Sequence, residues 1–229
     1  MTTPTTPGPQ IHDRHPLALA LFGLTLVSGL IDAVSYLGLG HVFTANMTGN
    51  VVVIAFALAG APGFSVVGSL TSLAAFLLGA LLAGRLAIRL VVRSTPSRRA
   101  AQLRTVFVLE VALYGVAAAV VFAWGAEGTA QYAVIALLAL AMGLRNGTVR
   151  GLGVPDLTTT VLTLTLTGLA ADSRLAGGTA PRQRRKILSV VTMLAGAFPG
   201  AVLVLHGQTA WALVLSAALA GVTVLLYRE

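Results

Sequence analysis

Six long apolar stretches constrain what this chain can fold into. Each one approaches the roughly 20 residues that an α-helix needs to cross a bilayer core about 30 Å thick. In lipid, backbone polar groups must be hydrogen-bonded within the protein, and a helix does this inside one segment. The sequence therefore predicts an all-α polytopic membrane protein, with spans at about 17–38, 64–86, 105–125, 130–150, 187–205 and 209–227.

The composition supports a membrane protein and excludes several chemistries. Only 10% of the residues are charged and 56% are hydrophobic, whereas a soluble domain carries about a quarter charged residues. The chain has no cysteine, which rules out disulfides and thiolate metal sites. The net charge of +8 comes from short basic tracts between apolar runs, a pattern typical of cytoplasmic loops. We expect no nucleic-acid partner and no cofactor.

The chain divides into a tail and one membrane domain. Residues 1–16 are rich in Pro and Thr without an apolar period, which predicts a disordered tail. The apolar run that follows continues past Asp32 to Leu37, longer than a signal-peptide core, and no clear cleavage site follows it. We expect residues 17–229 to form a single transmembrane domain.

Two further apolar segments, about 44–61 and 157–171, begin with polar residues and are harder to assign. The second would be only about 20 Å long as a helix, too short to span. Basic residues cluster in two predicted loops, at about 87–104 and 172–186. Placing both loops in the cytoplasm, as the positive-inside tendency requires, allows two crossings between them and makes 157–171 re-entrant.

The same reasoning makes 44–61 re-entrant and places both termini in the cytoplasm. The alternative is eight true spans with one basic loop outside. The arginines of the two loops also suit anionic lipid headgroups, and the sequence leaves the oligomeric state open.

The order of parts repeats between two halves, about 17–125 and 130–227. A shift of 114 residues brings Gly29 onto Gly143 and Asp32 onto Asn146. Each half then holds three spans, an odd number, so the second half would be inverted relative to the first. Inverted repeats with broken helices near the midplane recur in transporters. Polar residues at the start of each short helix would satisfy its free N–H groups, next to a partial positive charge.

Two motifs, "GLIDAVSYLGLGHVFTANMTGNVV" and "GLRNGTVRGLGVPDLTTTVLTLTLTGLAADS", resemble the YoaK-like family of bacterial integral membrane proteins of unknown function. The resemblance covers nearly the whole chain beyond the tail. It implies a multi-pass protein of the bacterial plasma (inner) membrane, and it supplies neither a substrate nor catalytic residues.

Candidate binding residues are the polar groups predicted to lie within the membrane. Asp32 in the first span is costly there and is by default a functional hypothesis; the alternatives are an ion pair with Arg145 or Arg150, or solvation near the headgroups. Glu110 could pair with an arginine of the first loop. The full candidate set is Asp32, Thr44, Asn46, Thr48, Gly49, Asn50, Arg145, Asn146, Asp156, Thr158, Thr159, Thr160 and Thr163.

Each candidate also has a structural alternative. Thr44 could cap the first short helix, and the Asn amides could cross-link helices. Thr160, Thr163 and Thr167 share one helical face that could form a polar path, or they could bond back to their own carbonyls. Asp156 would cap the second short helix. Arg145 could snorkel to the headgroups.

Three functions remain open from the sequence. The leading hypothesis is a small-solute transporter or channel that binds a polar or anionic solute near the midplane, between the two helix N-termini. The alternative is a non-transporting accessory or signalling protein. An intramembrane enzyme is less favoured, because the chain has no cysteine and no G-x-S-x-G or H-E-x-x-H motif.

Overall fold

Eight α-helices make up the described part of the protein. The computed structural model describes residues 16–91, 96–152 and 162–226, and these ranges contain no strand. The all-α prediction is confirmed. The helices are α1 (Pro16–Gly38), α2 (Met47–Leu58), α3 (Val66–Val91), α4 (Pro96–Trp124), α5 (Gly128–Leu152), α6 (Leu162–Ala171), α7 (Gln183–Leu205) and α8 (Thr209–Leu226), with a 3₁₀ turn at Arg174–Ala176 before α7.

Five of these helices, α1, α3, α4, α5 and α7, are long and apolar enough to cross a membrane. The apolar part of α8, Thr209–Leu225, is shorter. The α2 helix has 12 residues and is about 18 Å long at 1.5 Å per residue. It is therefore too short to cross a core of about 30 Å.

The loops around the basic residues are shorter than the sequence predicts. The α3 helix continues to Val91 and α4 already begins at Pro96, so most of the predicted loop 87–104 is helical. Arginine is a good helix former, which favours continuation of both helices. In the second loop, Arg185 and Lys186 are buried, and Lys186 Nζ donates to Asp172 Oδ2 at 2.7 Å. These two residues therefore belong to the folded bundle rather than to an exposed basic surface.

Two clusters of buried side chains show which helix ends meet. In the first cluster, the starts of α1 and α4 pack against the ends of α3 and α5; its members include Ala18, Leu21, Leu103, Phe107, Ala83, Leu144 and Val149. In the second, the later parts of α1 and α4 pack against the starts of α5 and α8; its members include Val34, Leu39, Ala117, Val134, Ile135, Ala212 and Leu213. The α1 and α4 helices therefore run in one direction, and α3, α5 and α8 run in the other.

The chain leaves α1 and enters α3 at the same end of the bundle. His41, just after α1, lies with its Nδ1 3.1 Å from the carbonyl oxygen of Gly63, just before α3. The rings of Tyr36, His41 and Phe64 form a chain of contacts at this end. The residues that precede and follow the α2 segment therefore lie close together at this end.

Glycines bring the backbones of two helix pairs into direct contact. Where α1 packs on α7, a methyl group at Gly29 would collide with the Met193 carbonyl oxygen, and one at Gly196 with that of Leu26. Small residues at such interfaces allow the close approach on which helix packing in membranes depends.

The α3–α5 contact is built in the same way. A methyl group at Gly143 would collide with the Phe76 carbonyl oxygen, and one at Gly79 with that of Leu140. A shift of 114 residues carries Leu26 and Gly29 of α1 onto Leu140 and Gly143 of α5. A shift of 117 residues carries the α3 positions Phe76 and Gly79 onto Met193 and Gly196 of α7. Both crossings therefore use corresponding positions.

Candidate functional site

A cavity of about 330 Å³ lies between the starts of the two short helices. This volume falls at the lower end of the range for small-molecule sites, about 300–1,000 Å³. Residues from α1, α2, α3, α6 and α7 form its wall. They are Ser28, Asp32, Ala45, Asn46, Met47, Thr48, Phe76, Leu162, Thr163 and Met193.

Asn46 fixes the start of α2 at the edge of this cavity. Its Oδ1 accepts a hydrogen bond from the Gly49 backbone N–H at 3.2 Å, which makes it the N-cap. The expectation that Thr44 caps this helix is wrong. Thr44 is buried, and its hydroxyl has no hydrogen-bond partner among the described residues. An Asn at this position satisfies one of the free N–H groups that every helix start presents.

Asn50 and Gly49 stabilise the loop before α2 instead of lining the cavity. The Asn50 side chain accepts from the Phe43 N–H at 2.9 Å and donates to the Phe43 carbonyl oxygen at 2.5 Å. Ser72 of α3 donates to the same carbonyl at 2.6 Å. Gly49 faces the Phe43 ring, which a Cβ would crowd. These contacts tie α2 to α3 and hold its first turn in place.

Among the described lining residues, Asp32 alone has a charged side chain. It lies one helical turn after Ser28 on α1, so both residues face the same side. Its carboxyl group lies near the backbone of Ala45. Its Oδ1 atom is buried and has no hydrogen-bond partner among the described residues. A buried carboxylate oxygen without a donor is the kind of group that a ligand can satisfy.

Arg145 is fully buried, and it contacts the lining residue Ser28 without itself being among the lining residues. Its Nη2 donates to Glu110 Oε1 of α4, and its Nη1 donates to the Leu24 carbonyl at 2.8 Å and to Ser28 Oγ at 2.7 Å. The Tyr114 hydroxyl completes the cluster by donating to Glu110 Oε1 at 2.6 Å. Burial of this kind demands a charged partner and several hydrogen bonds.

Three expectations about these charges are therefore wrong. Arg145 does not snorkel to the headgroups, because its exposed fraction is 0%. It pairs with Glu110 rather than with Asp32, and Glu110 pairs with it rather than with an arginine of the first loop. The α4 and α5 helices run antiparallel past one another, which brings residues 35 positions apart together.

The second short helix contributes Leu162 and Thr163 to the cavity. The Thr167 hydroxyl donates to the Thr163 carbonyl at 2.9 Å, as hydroxyls in membrane helices commonly do. The predicted residues Asp156, Thr158, Thr159 and Thr160 lie outside the described residues.

The structure thus brings together four of the predicted residues, Asp32, Asn46, Thr48 and Thr163, at one cavity. Thr44, Gly49, Asn50, Arg145 and Asn146 are not among its lining residues. Sequence reasoning missed six lining residues: Ser28, Ala45, Met47, Phe76, Leu162 and Met193. Ser28 could have been found from its position one turn before Asp32, whereas nothing local in the sequence marks Phe76 or Met193.

These features define a multi-pass, all-α membrane protein with a partly exposed cavity of mixed polar and apolar lining among its helices. A family model described as "Protein of unknown function (DUF1275)" matches residues 20–226, and the chain belongs to this family. The chain is 34% identical over 149 residues to the UPF0700 transmembrane protein YoaK of Bacillus subtilis (strain 168). That alignment covers 65% of this chain and 64% of the relative, a little under two thirds of its length. No solved structure matches the chain. The resemblance to the YoaK-like family is confirmed.

Proposed function

We propose that this protein is a transporter or channel that passes a small polar solute across the bacterial inner membrane through the cavity between α2 and α6. The observation that carries the proposal is the cavity itself. Its wall combines the starts of both short helices with the Asp32 carboxyl group. Irregular backbone at membrane depth is tolerated where it lines a cavity or is buried in protein.

The arrangement of helices supports two inverted repeats of three spans, each with one re-entrant short helix. The α1 and α5 helices correspond by the 114-residue shift and run in opposite directions, as inversion requires. The α1–α7 and α3–α5 crossings use corresponding glycines. In this arrangement α2 returns to the end of the bundle from which it started, in keeping with the contact between His41 and Gly63.

Passage of a solute fits the cavity better than catalysis does. Asp32 is the ionisable side chain among the described lining residues, and hydrolysis would require a nucleophile with an adjacent base or a metal. The hydroxyl and amide groups of Asn46, Thr48 and Thr163 can instead exchange hydrogen bonds with a polar solute. Phe76, Met47 and Met193 supply apolar surface next to them.

Solute entry into proteoliposomes tests the proposal. Vesicles containing the purified protein are mixed with a hyperosmotic solute, and re-swelling is followed by light scattering for glycerol, glycine, methylammonium chloride and sodium acetate. We expect at least one solute to enter faster than into empty vesicles. A Trp at Thr48 or Thr163 should fill the cavity and abolish that gain.

Leu164→Trp is the matched control, because Leu164 adjoins Thr163 on α6 but is 67% exposed and does not line the cavity. Re-swelling should be unchanged in this variant. If no solute enters faster than in empty vesicles, or if all three Trp variants behave alike, the cavity is not a route across the membrane.

A further inference from the structure

We propose that Asp32 binds the positively charged group of the solute, so that the cavity selects a small cation, of which a primary ammonium is the simplest example. This inference rests on the proposed role of the cavity and names the class of solute. It departs from the expectation of a polar or anionic solute, which rested on the helix N-termini and Arg145.

The first argument is the balance of charge inside the bundle. Glu110 and Arg145 are fully buried beside Ser28, and the Oδ1 atom of Asp32, one helical turn from Ser28, is buried as well. One guanidinium therefore serves two carboxylates. The contact geometry assigns that guanidinium to Glu110, which leaves Asp32 without an ion pair among the described residues.

The second argument is that Arg145 is committed to other partners. Its Nη1 is held by the Leu24 carbonyl and Ser28, and its Nη2 by Glu110 and Tyr114. Its Nε has no hydrogen-bond partner among the described residues, so it does not bond to Asp32 either. Turning this side chain toward Asp32 would leave Glu110 in the interior without a counter-charge, which is strongly unfavourable.

The third argument is the lining of the cavity. The described lining residues include no lysine or arginine, and their hydroxyl, amide and thioether groups and the Phe76 ring can all accept a cation. The starts of α2 and α6 each contribute a partial positive charge of about half an elementary charge. These partial charges lower the cost of burying Asp32, but they are spread over backbone N–H groups and leave Oδ1 without a donor among the described residues. A cation beside Oδ1 would supply a full counter-charge and satisfy the unpartnered oxygen.

Thermal unfolding of the purified full-length protein in detergent tests this inference separately from flux. The Tm of the wild type is measured against increasing methylammonium chloride and sodium chloride at constant ionic strength, and sodium acetate is compared with sodium chloride to test the anion. We expect the Tm to rise with methylammonium and to stay unchanged with acetate, because a ligand that binds only the folded state raises its stability.

Asp32→Asn keeps the size and the acceptor oxygen but removes the charge. We expect its apparent affinity for methylammonium to fall about tenfold or more, as expected when a charged hydrogen bond is lost. We also expect its Tm without ligand to equal or exceed that of the wild type, since it removes a carboxylate that lacks a counter-charge. Ser216→Ala, on α8, which contributes no residue to the described cavity wall, should leave the response to methylammonium unchanged.

Three results overturn the inference: a wild-type Tm that responds to no cation, a rise with acetate instead, or an Asp32→Asn variant that keeps the wild-type response. The outcomes remain distinguishable from those of the flux assay. Cation binding without solute entry would refute transport but support a cation site at Asp32. Solute entry without cation binding would support transport but refute that cation site.

Discussion

Gly29 and Gly143 occupy matching positions in two different helix crossings. A side chain at Gly29 would meet the Met193 carbonyl and the Ala197 backbone of α7, and one at Gly143 would meet the Phe76 carbonyl and the Ala80 backbone of α3. In both pairs the two helices run in the same direction, with their backbones in contact. The cavity lies beside these crossings, since Phe76 and Met193 themselves line it.

Alanine at Gly29 or Gly143 should destabilise the protein. Both crossings lack room for a methyl group, so the helices would have to separate, and overpacking of this kind costs about 1–3 kcal/mol. Thermal unfolding in detergent should show a lower Tm for each variant. Because the crossings correspond, the two losses should be similar in size.

Gly115→Ala in α4 is the control for the glycine variants. A Cβ there meets no atom within 4 Å, and alanine is favoured over glycine within a helix by about 1 kcal/mol. Its Tm should be unchanged or higher. An equal loss at positions 29, 115 and 143 would show that close packing at the two crossings is not the cause.

The buried pair of Glu110 and Arg145 should be much more sensitive to single changes than to a double change. Glu110→Met or Arg145→Met leaves the partner charge unpaired in the interior, and breaking a buried pair costs about 3–5 kcal/mol. Replacing both residues by Met removes both charges and should restore much of the loss. A double-mutant cycle on Tm or on the free energy of unfolding measures the coupling.

Tyr114→Phe is the milder comparison within that cluster. It removes the hydroxyl that lies 2.6 Å from Glu110 Oε1 and 3.1 Å from Arg145 Nη2 but keeps both charges and the ring. We expect a loss of about 1 kcal/mol. Additive losses in the Glu110 and Arg145 double variant would argue against a coupled pair.

Asn50→Ala should cost more stability than Asn46→Ala. Asn50 is buried and serves both backbone groups of Phe43; its removal leaves the Phe43 N–H unpaired, at about 1–3 kcal/mol. Asn46 is an exposed helix cap, worth about 1 kcal/mol. Unfolding of both variants gives the comparison, and the reverse order would place the main anchor of α2 at its cap.

The helices and the polar start of α2 could be predicted from the sequence because each depends on a local pattern. Apolar runs of about 20 residues give the spans, and an Asn or Thr before an apolar run marks a helix start. Asp32 was a candidate because an ionisable side chain within a span is costly. The alternative that Thr44 caps α2 missed Asn46, two residues away, because several neighbouring side chains have cap chemistry.

The pairing of charges could not be predicted, because it depends on how distant helices pack. The Arg145 side chain could pair with Asp32, pair with Glu110 or be solvated. Only the antiparallel contact of α4 with α5 selects Glu110 as its partner. Phe76 and Met193 reach the cavity because the glycine crossings bring their helices together. The sequence around each of them looks like that of any other apolar helix. The remaining candidates at positions 156 and 158–160 stay predictions.

The orientation of the protein can be tested in its cysteine-free background. The ends of α1 and α4 lie at one end of the bundle, so the α2–α3 and α4–α5 connections share that end. Single cysteines at Pro62, Thr95, Glu127 and Leu175 can be labelled on intact cells with a membrane-impermeant thiol reagent. With basic connections in the cytoplasm, positions 62 and 127 should label, whereas 95 and 175 should label only after lysis. If 95 and 175 differ from each other, an odd number of spans separates them, and the inverted three-span repeats are refuted.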